Sequence, residues 1–267
     1  MTRRRLDAEL VRRGLVASRT EAQVAVRNGL VLVAGRAVEK PSTLVAPAEP
    51  VELLRAPRRF VSRGGEKLDA ALDRFRLEPA GRDCLDAGAS TGGFTDCLLS
   101  RGAARVVAVD VGYGQLAWSL RRDPRVLVLE RRNVRDLRPA DLPFAPDLVV
   151  ADLSFISLAL VVPTLADLAV GGAHAVLLVK PQFEVGHGEV GRGGVVRDAA
   201  SWRRAVERVA QASVAAGFAP IDVMASPLPG PAGNVEFLLH AREGPHLADL
   251  DVEAALEEAA ALVRVSP

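Results

Sequence analysis

Lysine is nearly missing from this chain. Of 34 basic residues 31 are arginine, and lysine stands only at Lys40, Lys67 and Lys180. Arginine supplies charge but not a titratable amine, so lysines retained in such a background are candidates for chemistry, with chance as the plain alternative for any one of them. Cysteine is scarce too. Cys84 and Cys97 lie in apolar or helical surroundings and no CxxC pair occurs, which argues against a disulfide framework and a zinc site. His174, His187, His240 and His246 show neither HxxxH nor HxH spacing, so no structural metal is expected. No apolar run reaches the roughly 18 residues of a membrane helix. The best candidate, Leu158–Val170, contains Pro163 and Asp167. The opening Met1-Thr-Arg-Arg-Arg-Leu-Asp has the charge of a secretion signal without the apolar stretch that follows one. The expected setting is cytoplasmic, with no membrane partner.

At about 150 residues per domain, 267 residues suggest one large and one small domain. A hydrophobic content of 49% leaves ample material for a core and excludes a wholly disordered chain. Charge is unevenly spread. Residues 1–63 carry 13 basic against six acidic residues, and the remainder carries 21 against 27. A basic segment on an acidic body suggests a polyanion-binding module, with solvated helix faces as the bland alternative.

Leu6, Leu10 and Val11 recur at helical spacing, and Gly14 ends that segment. Ser18-Arg-Thr-Glu21 is a capping-box pattern opening a second helix, which Asn28-Gly29 closes. Leu30–Val33 and Val51–Leu54 read as short strands, so residues 1–55 make a small α+β unit. The stretches R-L-D-A-E-L-V-R-R-G-L, S-R-T-E-A and R-N-G-L-V-L-V-A-G-R resemble the S4 RNA-binding domain. That resemblance implies contact with the phosphates and shape of structured RNA more than with base edges. Arg3, Arg4, Arg12, Arg19 and Arg27 are the positions it offers, with Arg5 and Arg13 beside them. Residues 56–62 form the linker, whose Arg59 precedes the aromatic Phe60 and joins the RNA-binding set.

Residues 63–267 alternate short apolar runs with helical stretches. Strands are expected at Cys84–Asp86, Val106–Asp110, Val126–Leu129, Leu148–Asp152, Ala175–Lys180, Ile221–Met224 and Val235–His240. Helices are expected at Thr95–Arg101, Gln115–Arg122, Leu158–Leu168 and Ala199–Ala216. This is the pattern of a doubly wound, Rossmann-like α/β sheet. The last two strands lack room for a crossover helix and suit an antiparallel hairpin at the sheet edge. The first strand runs into Leu85-Asp-Ala-Gly-Ala-Ser-Thr-Gly-Gly-Phe94, which is neither GxGxxG nor a Walker loop. The second ends in Asp110, placed to accept from a ribose diol. Together they resemble motif I of class I S-adenosylmethionine-dependent methyltransferases. The resemblance implies S-adenosylmethionine as cofactor, held by Asp86, Gly88, Ser90, Thr91, Gly92, Gly93 and Asp110. A tight strand–helix turn without a ligand is the plain alternative.

Four residues stand out for chemistry. Lys67 precedes the domain's first helix in S-R-G-G-E-K-L, and Glu236 sits in G-N-V-E-F. Asp152 and Lys180 end the fourth and fifth strands, where open α/β sheets bind ligands. The order Lys67–Asp152–Lys180–Glu236 resembles the K-D-K-E tetrad of FtsJ-type ribose 2′-O-methyltransferases. With the S4-like module and linker, the whole chain resembles the TlyA/haemolysin-A family of ribosomal RNA methyltransferases. The motifs L-D-A-G-A-S-T-G-G-F-T-D, V-D-V-G-Y-G-Q-L-A-W-S-L, A-D-L-S-F-I-S-L, V-K-P-Q-F-E and S-P-L-P-G-P-A-G-N-V-E-F extend the resemblance over nearly its full length. The family implies methyl transfer to cytidine 2′-hydroxyls in large-subunit RNA and, in some members, small-subunit RNA too. The partners are then ribosomal RNA and ribosomal subunits, met by a monomer.

A sulfonium already makes its methyl group electrophilic; the ribose hydroxyl is the reluctant partner. Aligning its oxygen with the methyl–sulfur axis lowers the barrier by several kcal/mol, up to about 7–11 in favourable cases. Lys180 then serves either as a base, if Lys67 and partial burial disfavour its charge, or as a cation steadying the alkoxide. Neither role needs a metal. Two other classes compete: a non-catalytic RNA-binding or ribosome-assembly factor, which the tetrad disfavours, and a pore-forming haemolysin, which the missing signal and span disfavour.

Overall fold

The chain divides into two compact units, Met1–Arg58 and Arg59–Pro267. The computed structural model describes residues 3–16, 18–27, 29–54, 59–245 and 250–265. Asn28, the linker residues Ala56–Arg58 and His246 lie outside the described residues.

In the first unit the expected helices form as α1 (Leu6–Arg12) and α2 (Arg19–Arg27). Ser18 Oγ accepts from the Glu21 amide at 3.2 Å, one half of the capping box. Leu6 and Leu10 of α1 and Ala22 and Val26 of α2 are fully buried and close a small core with Val31. The strands are more numerous than periodicity shows. β1 (Arg4–Arg5) pairs antiparallel with β4 (Leu44–Val45), so Arg4 and Arg5 belong to a ladder rather than a loose basic tail. β2 (Val31–Val33) pairs with β3 (Arg36–Ala37) and β5 (Val51–Leu53). Ala34 and Gly35 join β2 to β3 with φ of 49° and 76°, the two left-handed residues that a tight hairpin requires.

The second unit begins with α3 (Arg63–Phe75), followed by β6 (Asp83–Ala87), α4 (Gly93–Ser100), β7 (Arg105–Asp110), α5 (Trp118–Arg121) and β8 (Val126–Glu130). Then come β9 (Leu148–Ala151), α6 (Val162–Leu168), β10 (His174–Val179), α7 (Pro181–Glu184), α8 (Ala199–Ala215), β11 (Phe218–Ala225), β12 (Phe237–Glu243) and α9 (Val252–Val265). The seven strands stand in the order β11-β12-β10-β9-β6-β7-β8. β12 is antiparallel to both neighbours, as the expected hairpin requires, but it lies inside the sheet and β11 takes the edge. β6, β7 and β9 are parallel, and the winding order switches at β6, with β7 on one side and β9 on the other. Such a switch point is where a doubly wound sheet opens a crevice at its strand carboxyl ends.

Both faces of the sheet are covered, which explains why its inner strands read as continuous apolar runs. Cys84, Val106, Val150, Leu178 and Leu238 pack against α3 and α4 through Leu68, Leu72 and Leu98. Leu85, Val107, Val149, Leu177 and Leu239 face the other side with Leu165, Val206 and Ala255. Leu68 and Leu72 are wholly buried, and burying each stabilises the unit by roughly 1.5–3 kcal/mol. The expected helix Gln115–Arg122 shortens to Trp118–Arg121 because the backbone is still extended at Ala117, where ψ is 140°. β9 and β10 end one residue short of Asp152 and Lys180, leaving both just beyond the ladder. Cys84 and Cys97 are buried and free, and burial pushes the Cys97 thiol up to about 12.

Candidate active site

The turn after β6 is shaped by its neighbours. Gly88 has a φ of 88°, and a Cβ there would stand 2.3 Å from the Asp152 carbonyl oxygen, so only glycine lets β6 and β9 close. Asp110 at the end of β7 accepts from the Ser90 amide at 2.8 Å and the Gly112 amide at 2.6 Å, locking two turns together. These carboxylate oxygens each keep further acceptor capacity. A cleft of about 420 Å³ opens here, lined among others by Gly88, Ser90, Asp110, Gln115, Asn133 and Asp152. Gln115 and Asn133 escaped the sequence reading. Asn133 lies just past β8, so the strand-end rule that flagged Asp110 would have found it too.

The remaining motif I residues, Asp86, Thr91, Gly92 and Gly93, lie outside that lining. A Cβ on Gly92 would meet Leu120 Cδ1 at 2.3 Å, and one on Gly93 would meet Ser62 Oγ at 2.2 Å. Their glycines serve the packing of α4 against α5 and the start of α3. Asp86 is buried on β6. It accepts from Thr95 Oγ1 at 2.6 Å through Oδ2, while Oδ1 has no partner among the described residues. Burial pushes its carboxyl up to about 7; the Thr95 hydrogen bond opposes that rise and the negative charges of Asp152 and Asp110 add to it.

The tetrad assembles by strand alternation. Asp152, Lys180 and Glu236 adjoin Ala151, Val179 and Phe237, all of which face away from α3. Period two therefore turns the three toward α3, where Lys67 stands on the second helical turn rather than ahead of the helix as expected, because α3 already begins at Arg63. The register that pairs Val179 with Phe237 sets Lys180 and Glu236 side by side just beyond it. Lys180 Nζ contacts Asp152 Oδ1 at 2.5 Å and Ser154 Oγ at 3.0 Å. Lys67 Nζ contacts Glu236 Oε2 at 2.5 Å, with both side chains buried. Gly230 makes room for that carboxylate, since a Cβ there would lie 2.5 Å from Glu236 Oε1.

Two buried side chains brace the surrounding loops. Glu184 accepts from Ser157 Oγ at 2.5 Å and the Leu158 amide at 2.6 Å, joining the segment after β10 to the loop after β9. Asn234 accepts from the Val196 amide at 2.9 Å and donates to the Gly194 carbonyl at 2.8 Å. Phe155, also on the cleft, is 92% exposed, and its ring meets Phe183 at 5.4 Å between centroids.

The arginines assigned to RNA differ among themselves. Arg3, Arg4 and Arg27 are exposed. Arg12 is exposed but held by Glu9, and Arg19 reaches Asp7 at 3.4 Å. Arg59 pairs with Asp69 and lies over Phe60, which commits its guanidinium to the start of the second unit.

The chain matches the FtsJ-like methyltransferase family over residues 60–243 and the S4 domain over residues 4–51. It is 56% identical over 241 residues to the 16S/23S rRNA (cytidine-2′-O)-methyltransferase TlyA of Mycobacterium tuberculosis, covering 90% of each chain. It is 42% identical over 262 residues to YqxC of Bacillus subtilis, which is named as an rRNA methyltransferase, covering 96% of this chain and 93% of that one. A solved structure from Streptococcus thermophilus that bears the hemolysin name matches with a TM-score of 0.76 and 38% identity, over 99% of this chain and 97% of that one. Among the described residues no helix is long and apolar enough to cross a membrane.

Proposed function

The chain belongs to the FtsJ-like methyltransferases, in the TlyA family of S4-bearing enzymes, and on that footing we propose that it transfers a methyl group from S-adenosylmethionine to cytidine 2′-hydroxyls of ribosomal RNA. The substrate is the large subunit and, following the name of the mycobacterial relative, the small subunit as well. The observation that carries this reading is the pair of lysine–carboxylate contacts meeting on one face of the sheet, beside a cleft at the strand carboxyl ends. In this reading residues 1–55 capture RNA, residues 56–62 link, and residues 63–267 catalyse.

The residues present suit the cofactor. Asp110 has acceptor capacity left for a ribose diol, and the unpartnered Oδ1 of Asp86 suits a donor such as an amino group. When bound, S-adenosylmethionine supplies an electrophilic methyl group. The protein supplies position and charge. Lys180 Nζ, oriented by Asp152 and Ser154, meets the 2′-oxygen and steadies the negative charge growing on it. Asp152 Oδ1, in contact with that amine, is the acceptor to which the hydroxyl proton can pass. Lys67 and Glu236 form the floor beneath, one ammonium and one carboxylate whose charges offset each other.

The test uses ribosomal subunits that lack the modification, labelled cofactor and nucleoside analysis of the product. Label in 2′-O-methylcytidine is expected. Label confined to bases overturns the ribose assignment, and no label in either subunit overturns the function.

A further inference from the structure

Two acids of the N-terminal unit sit where charge is costly. Asp7 is 0% and Glu9 1% exposed. Arginines surround both. Arg5 grips Asp7 through Nε at 3.1 Å and Nη2 at 2.9 Å. Arg12 grips Glu9 through Nε at 2.8 Å and Nη2 at 2.6 Å. From α2, Arg19 Nη2 and Gln23 Nε2 reach Asp7 Oδ2 at 3.4 and 3.2 Å. Hydrogen bonds from these arginines, the largest cause in each case, hold both carboxyl groups near a pKa of about 2 against the effect of burial.

The geometry of the two forks is the same. Each uses the Nε/Nη2 edge of the guanidinium and leaves the Nη1 edge to other partners. The side chains of Arg5, Arg12 and Arg19 remain about half exposed. Arg13 is the contrast: beyond Glu9 it donates to the carbonyls of Glu49, Ala46 and Pro47 and ties the unit together.

Stability alone does not account for two buried acids. Exposed ion pairs contribute at most about 1 kcal/mol, and apolar residues of similar volume often do better than a buried charge. Preorganisation does account for them. A free arginine loses about 2 kcal/mol of rotamer entropy when fixed on a ligand, and here that cost is met before the ligand arrives.

We propose that Asp7 and Glu9 are positioning residues for RNA capture, fixing Arg5, Arg12 and Arg19 in advance as a three-guanidinium platform for the backbone phosphates of structured RNA. This rests on the reading above that RNA is the substrate. Its sharp consequence is that removing a negative charge weakens the binding of a polyanion.

The experiment titrates large ribosomal subunits lacking the modification with the full-length protein at several salt concentrations. Parent, Asp7→Asn, Glu9→Gln and Arg12→Lys are compared. Each variant is expected to bind about three- to tenfold more weakly, and the slope of log K against log salt to flatten by about one for each phosphate no longer neutralised. Arg12→Lys keeps the net charge and lies on the surface, so its weaker binding reports the fork itself. Glu9→Gln combined with Arg12→Lys should bind no more weakly than either alone. Circular dichroism follows the folding of each variant; should Asp7→Asn unfold the unit, the Glu9 and Arg12 variants decide. Affinity equal to or above the parent's in Glu9→Gln, or unchanged in Arg12→Lys, overturns the proposal. A parent that fails to bind the subunits overturns the RNA reading instead.

Discussion

Lys67 and Glu236 lie 169 positions apart in sequence and meet at 2.5 Å in the interior of the second unit. One comes from the unit's first helix and the other from the residue before its last strand, so a single ion pair joins the beginning of the sheet domain to the strand that completes the sheet.

Glu236→Gln should leave a buried ammonium poorly matched and cost on the order of 3 kcal/mol of stability, read by urea unfolding. Replacing both partners together, as Lys67→Met with Glu236→Leu, should recover much of that stability. Methyl transfer should stay lost in the double variant, which separates the pair's chemistry from its contribution to the fold.

Lys180→Arg keeps a positive charge but replaces one compact amine by a planar fork. It cannot occupy the single point 2.5 Å from Asp152 and 3.0 Å from Ser154. Turnover should fall by about 100-fold or more, within the range expected when a positioned donor to the developing negative charge is displaced, with cofactor affinity near normal. Near-normal turnover would show that charge alone suffices.

Gly88→Ala would press a methyl group against the Asp152 carbonyl, 2.3 Å away, in a backbone region that alanine avoids. β6 and β9 would have to part beside Asp110 and Asp152. Cofactor affinity measured by calorimetry should drop by about tenfold or more, an amount equal to about 1.4 kcal/mol.

Acid should unfold the protein through His240. Its ring stacks between Phe75 and His174, each 5.2 Å away between centroids, and His174 Nδ1 lies 2.9 Å from its Nε2. Burial first, and then the charge of His174, hold His240 down to about 4. An unfolded histidine titrates near 6.5. Between those values the unfolded chain takes up more protons, so this stability is whole above about pH 6.5 and is lost as pH falls toward 4. Unfolding free energies from urea titrations should decline from pH 7 to pH 5, by an amount on the order of 1–3 kcal/mol. His240→Phe keeps the stack and should flatten the decline.

The parallel strands are legible in the sequence because burial on both faces leaves them apolar throughout; Leu148–Ala151 is buried at every residue. The strand-end rule then reaches Asp152 and Lys180 without a structure. Lys67 and Glu236 are less visible, since their meeting depends on how α3 crosses the sheet, which no local pattern records. The glycines of motif I show that side chains are forbidden there but not what forbids them: Leu120 for Gly92 and Ser62 for Gly93. The arginine forks are the least legible. Charge counting treats Arg5 and Arg12 as free cations, and only the packing of α1 reveals that Asp7 and Glu9 turn inward to hold them.

The placement of β12 bears on how the molecule is made. It is the last strand to be synthesised, yet it lies between β11 and β10. Until it pairs, β10 presents an apolar open edge, the kind of surface that recruits other chains. The segment that closes this edge also delivers Glu236 to Lys67. Sheet closure and completion of the charged floor are therefore one folding event. In refolding experiments methyl transfer should return with the rate constant of the final sheet-forming phase, never ahead of it, so a half-finished molecule is silent rather than misdirected.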